Sequence, residues 1–133
     1  MNLKKIKKIL INKKMEFEFK KQFSLNERIS ECRKTLEKYP DRVPVICEKA
    51  PNSLIQQIQK TKYLCPFDMY GNQFNFIIRK KLNLDQTASL FLLVGGGKST
   101  ITGNQTMSEI YETYKDKEDG FLYITYASEM IWG

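Results

Sequence analysis

The chain reads as an α+β domain with a mixed sheet, and three observations predict it. Two Ser/Thr-x-x-Glu signals, Ser24 to Glu27 and Thr106 to Glu109, have the spacing of capping boxes that open helices. Phe74, Ile77, Ile78 and Leu82 recur at helical spacing, the mark of a core-facing helix. Short apolar or alternating runs at 43–47, 62–65, 90–94 and 121–127 have the length and residue types of strands. With 133 residues, 41% of them hydrophobic, there is material for one soluble globular domain with one core.

Residues 1–14, MNLKKIKKILINKK, place Leu3, Ile6 and Leu10 at helical spacing among lysines. This is either a helix that lies on an anionic membrane or a disordered basic tail, Met15 being an alternative start. From Leu25 the helical spacing continues through Ile29, Cys32 and Leu36 and stops at Tyr39-Pro40. Val43, Val45 and Cys47 then alternate with Pro44 and Ile46, and the proline predicts an edge strand with an open side. Lys62 to Cys65 makes a second short strand, followed by the central helix. Leu90 to Val94 is a buried strand, Ile110, Tyr111 and Tyr114 follow at helical spacing, and Phe121 to Ala127 is the last strand.

Several function classes are excluded by composition. The chain has no histidine, so no imidazole base, ligand or shuttle exists. Cys32, Cys47 and Cys65 are odd in number and far apart, which suits neither a disulfide framework nor a metal knuckle and fits a reducing cytosol. Asn104-Gln105-Thr106 is accordingly a chance sequon. No apolar run is long enough to cross a membrane, and no signal-peptide pattern is visible. The net charge of +7 comes from six lysines within residues 1–14; the remainder holds 16 basic and 15 acidic residues. The domain is nearly neutral, which argues against nucleic acid as a partner. Gly95-Gly96-Gly97-Lys98-Ser99-Thr100 looks like the end of a phosphate loop, but the first glycine of that motif falls on Leu92. Three glycines between a strand and a helix read as a flexible loop instead.

Four separated stretches occur in one order: KYPDRVPVICEKA at Lys38 to Ala50, KYLCP at Lys62 to Pro66, QFNFIIRKKL at Gln73 to Leu82, and FLYITYASE at Phe121 to Glu129. Together they resemble the ubiquitin-like autophagy modifiers, the family of GABARAP and the light-chain-3 proteins, over Met15 to Gly133. The resemblance implies a β-grasp fold with a four-stranded mixed sheet. It divides the chain into a basic extension (1–14), an N-terminal helical arm (15–38), a ubiquitin-like core (39–127) and a tail (128–133). It also implies a non-enzyme that needs no cofactor, is monomeric and binds no nucleic acid. Its place would be the cytoplasm and, once lipidated, the autophagosome membrane.

The same resemblance implies two functional elements. The first is Gly133, the residue joined to phosphatidylethanolamine by activating and conjugating enzymes, with a cysteine protease for processing or release. A terminal glycine has no β-carbon to crowd acyl transfer. The second is a groove for motifs of the form aromatic-x-x-aliphatic, carried by cargo receptors and preceded by acids. Its aromatic pocket maps onto Glu31, Thr35, Pro44, Ile46, Lys62, Leu64 and Phe121. Its aliphatic pocket maps onto Tyr63, Cys65, Pro66, Met69, Phe74 and Ile77, with Lys81 at the rim. Arg42 and Lys60 would meet the acidic flank. Thr35 stands where relatives carry isoleucine, which makes the first pocket wider or more polar, and Cys65 replaces a valine. The alternative is an adaptor that uses the groove and basic tail without conjugation.

Overall fold

The structure is a computed structural model that describes residues 2–4 and 16–129. Most of the 1–14 extension and the terminal Gly133 lie outside the described residues. From residue 16 the order is α1 (Glu18–Gln22), α2 (Leu25–Lys38), β1 (Arg42–Lys49), β2 (Lys62–Pro66) and α3 (Gly71–Leu82). There follow β3 (Phe91–Val94), β4 (Ser99–Thr100), α4 (Met107–Tyr114) and β5 (Leu122–Ala127).

The strands form one sheet in the order β2-β1-β5-β3-β4, antiparallel except for the central β1–β5 pair. This is the β-grasp layout, with five strands rather than the expected four. The extra strand comes from the glycine run, which is a defined turn and not a flexible loop. Gly95, Gly96 and Gly97 take φ of 65°, 71° and 89°. That left-handed region is open to glycine at little cost, and it reverses the chain so that Leu93 pairs with Thr100 and Val94 with Ser99.

The proline expectation also needs correcting: β1 is interior and β2 is the edge. The Cys47 N–H donates to the Thr61 carbonyl at 2.7 Å, so odd-numbered residues of β1 turn their backbone groups towards β2. Pro44 therefore directs its missing N–H to the β5 side. Pairing there begins one residue later, at Val45–Leu122. A proline fits an interior strand when its blank position precedes the ladder it would have joined.

The alternation in β1 separates two apolar clusters. Val43, Val45 and Cys47 face the main core with Phe74, Ile78 and Leu82 of α3 and Met107, Ile110 and Tyr111 of α4. Ile46 faces the other way, with Phe19, Cys32 and Phe121 under the two N-terminal helices. Helix α2 starts on a complete capping box: Ser24 Oγ accepts from Glu27 N–H at 3.2 Å and the Glu27 carboxylate accepts from Ser24 N–H at 2.9 Å. Thr106 accepts from Glu109 N–H at the start of α4 in the same way. The short α1 has no cap of its own; Glu48, from β1, accepts its Glu18 and Phe19 N–H groups at 2.8 and 3.1 Å.

Candidate functional site

The backbone of β2 is divided by its register. Thr61 bonds to Cys47, and the pairs Val45–Tyr63 and Val43–Cys65 continue the same bonded series. Lys62 and Leu64 consequently turn their N–H and C=O groups to the open side of the sheet. Pro66 ends that free row because it has no N–H to offer. Beside this edge lies a cavity of about 360 Å³ lined by Glu31 and Thr35 of α2, Pro44 and Val45 of β1, Lys60, Lys62, Tyr63, Leu64 and Phe121.

Six of the seven residues expected around an aromatic pocket line this cavity: Glu31, Thr35, Pro44, Lys62, Leu64 and Phe121. Ile46 does not. It is fully buried in the cluster that includes Phe121. Lys60, expected only at an acidic flank, is part of the cavity wall, and its ammonium lies 5.1 Å from the Tyr63 ring. Val45 and Tyr63, which face each other across the β1–β2 ladder, complete the wall. The spacing Lys60-x-Lys62-x-Leu64 would have placed all three on one face of a strand, had the strand been drawn two residues longer.

Electrostatics are asymmetric at the mouth. Lys62 Nζ reaches Glu31 Oε1 at 2.6 Å and also lies 5.2 Å from the Phe19 ring and 5.5 Å from the Phe23 ring. Both partners of that pair are well exposed, so it adds little stability. The Thr35 hydroxyl donates to the Glu31 carbonyl at 2.8 Å. Its proton is spent inside the helix and is not offered to the cavity.

The residues expected for an aliphatic pocket divide differently. Tyr63, Cys65 and Phe74 are buried in the main core, Met69 and Ile77 are partly buried against it, and Lys81 is exposed. Pro66 is half-buried at the end of β2, and Arg42 is half-buried at the matching start of β1. The thiols are not reactive groups. Burial pushes Cys32 up to about 11 and Cys65 to about 12, and Cys47 higher still, so all three stay protonated at neutral pH. A second cavity, of about 420 Å³, lies under α1 between Phe17, Lys20, Tyr114, Asp116 and Tyr123 and contains none of the expected residues.

Comparison with known proteins agrees with this architecture. The family model described as "Autophagy protein Atg8 ubiquitin like" matches residues 27–133. Autophagy-related protein 8D of Oryza sativa is 43% identical over 115 residues, 86% of this chain and 96% of its own length. Autophagy-related protein 8 of Schizosaccharomyces pombe is 44% identical over 119 residues, 90% of this chain and 96% of its own. The crystal structure of Trypanosoma brucei ATG8 superposes with a TM-score of 0.80 at 35% identity, covering 89% of this chain and 99% of that one. The chain belongs to the Atg8 family of ubiquitin-like autophagy proteins, and is a modifier rather than an enzyme.

Proposed function

We propose that this protein is joined through Gly133 to phosphatidylethanolamine on autophagic membranes and there recruits cargo receptors through the groove along β2. The observation that carries this reading is the cavity at the open sheet edge. Its walls are partly apolar, its rim is cationic, and two unspent backbone positions, Lys62 and Leu64, lie beside it. An extended peptide can add to such an edge as a further strand, with its aromatic residue in the cavity. Its aliphatic residue would sit three positions on, near Pro66, Met69 and Ile77. Acidic residues ahead of the motif would meet Lys60 and Lys62, which favours fast, salt-sensitive association, whereas Arg42, paired with Pro66, lies at the aliphatic end.

The magnitudes suit a reversible recruiter. An aromatic anchor buries about 150–250 Å², about 4–6 kcal/mol gross at ~25 cal/mol per Å². Ordering the peptide removes part of this, while the aliphatic anchor and the added strand's hydrogen bonds contribute further, so a Kd on the order of micromolar, about −8 kcal/mol, is expected.

The attachment proceeds by acyl transfer in which this chain supplies only the acyl group. The Gly133 carboxylate takes AMP from ATP with release of pyrophosphate, and an enzyme thiolate then displaces AMP to form a thioester. The lipid amine displaces the thiolate, forming an amide and giving up a proton. Two acyl chains then hold the protein at about 0.8 kcal/mol per buried CH₂. The test is reconstitution with activating and conjugating enzymes, ATP and phosphatidylethanolamine vesicles. Wild-type chain ending at Gly133 should gain one lipid mass and Gly133→Ala should not. Lipidation of the alanine variant would overturn the attachment. Leu64→Arg should cut motif-peptide affinity at least tenfold, about 1.4 kcal/mol, and unchanged affinity by calorimetry would place the groove elsewhere.

A further inference from the structure

Ser53 and Ser128 are 75 residues apart in sequence and adjacent in space. Ser53 is buried in the connection between β1 and β2. Its oxygen accepts from Ile55 N–H at 3.3 Å and from Ser128 N–H at 3.2 Å, and faces Ser128 Oγ at 3.4 Å. The Ser128 hydroxyl donates to the Glu129 carboxylate, so the proton between the two serines comes from Ser53. Every hydrogen-bonding position of Ser53 is thus in use. The bond from the Ser128 hydroxyl holds the Glu129 carboxyl below its usual range. The connection that carries Ser53 is itself braced: Lys49 Nζ donates to the carbonyls of Ala50 and Ser53 at 2.9 and 3.0 Å, and Ala50 N–H donates to Tyr126 O at 2.9 Å.

We infer that Ser53 is a positioning residue for the acyl transfer at Gly133: it pins the root of the C-terminal tail to the β1–β2 connection and so sets the reach and direction of the last residues. This rests on the reading of Gly133 as the conjugated residue. With Ser128 and Glu129 held, four residues remain to Gly133, a reach of at most about 14 Å. With the latch open, the span counts from Ala127, six residues in all, and the reach is at most about 21 Å. An enzyme cleft that must order the tail then orders two more residues, and the latch has already met that cost. Ser53 does not line the peptide cavity, so opening the latch leaves receptor binding as it was.

The experiment uses the full chain with its activating and conjugating enzymes, ATP and phosphatidylethanolamine vesicles, comparing wild type, Ser53→Ala and Ser53→Thr. Ser53→Ala should lower kcat/KM for thioester formation at least tenfold, the low end of what re-ordering two freed residues costs. The loss should appear as a raised KM with kcat retained, and motif-peptide affinity should be unchanged. Exchange of the Ser128 amide should speed up in the same variant. Ser53→Thr keeps the oxygen and should restore both. Faster Ser128 exchange with wild-type kcat/KM would overturn the positioning role. A loss that matches the fraction of chain unable to bind the motif peptide would also overturn it, as a folding effect. Failure of Gly133 itself to be conjugated in the wild-type chain would defeat the underlying reading instead, so the two failures are distinct.

Discussion

The two faces of the sheet are built by different means. On the α3 face, eighteen buried residues make one continuous apolar cluster that includes Phe74, Ile78, Leu82 and Tyr126. Among the described residues, the cluster under the arm has four buried members, Phe19, Cys32, Ile46 and Phe121, and polar ties carry much of the rest of the attachment. Asp119 accepts from Arg28 Nε at 2.9 Å, Asp116 from Lys20 Nζ at 2.7 Å, and Glu48 from the first N–H groups of α1. Both aspartates lie in the short segment between α4 and β5, which therefore holds both arm helices. Aromatic edge contacts of Phe17 with Tyr123 and Phe19 with Phe121 fill between them. The first face resembles a core that can only be lost as a whole. The second is a docked module held at a few points, and the gap it leaves against β1 and β2 is the cavity. The fold depends on one face, and the proposed recognition uses the other.

The largest expected effect breaks the first face. Phe74 is fully buried and meets the Tyr63 ring edge-on at 5.5 Å. Phe74→Ala should cost about 3–5 kcal/mol, from lost burial and the cavity left behind. Denaturant unfolding should show a lower midpoint for both faces together. A separate transition for the arm alone would mean that the faces are less coupled than their shared β1 implies.

The next effect breaks the second face alone. Asp119 is buried and also accepts from Phe121 N–H at 2.9 Å and from the Tyr123 hydroxyl. Asp119→Ala strands a largely buried guanidinium and should cost about 3 kcal/mol. Hydrogen exchange should rise in α2 well before α3, and motif-peptide affinity should fall with it because Glu31 and Thr35 ride on α2. Equal exchange in both helices would remove the distinction drawn between the faces.

How much of this was legible in the chain depends on how local each cause is. Helices α2, α3 and α4 could be read because caps and apolar spacing act within a few residues. The two-faced role of β1 was also readable, since Val43, Val45 and Cys47 alternate with Pro44 and Ile46. By contrast, α1 is five residues long and holds together through Glu48, some thirty positions away. The pair Ser99–Thr100 has no strand pattern; it is a strand because a glycine turn returns it to β3. Pro44 misled because its effect depends on which side its missing N–H faces, and only the register decides that. The cavity draws on α2, β1, β2 and the residue before β5, so topology assembles it and periodicity could not. Resemblance named most of its walls, whereas the Ser53–Ser128 latch carries no local signal at all.

The smallest effect sharpens the comparison through pH. Burial works against ionisation of Asp116, but the Lys20 ammonium and the N–H groups of Asp119 and Glu118 outweigh it and hold its carboxyl below the usual range. Its folded form binds fewer protons than its unfolded form, so its contribution is present above the ordinary carboxylate pKa of about 4 and is lost as pH falls through the lower, folded value. Glu27, held low by the backbone and side chain of Ser24, adds to the same acid slope. Glu48 acts in the opposite sense. Burial lifts its carboxyl above the usual range despite the bonds from Glu18 and Phe19, so what it contributes below the ordinary pKa is lost as pH rises through the raised one. All three groups sit on or under the arm. The exchange-derived stability of α1 and α2 should therefore bend with pH on both sides of about 4, while α3 amides report only global opening. Asp116→Asn should flatten the acid side and Glu48→Gln the other. Parallel pH profiles for arm and α3 amides would mean that the ties, although present, do not set the arm's local stability.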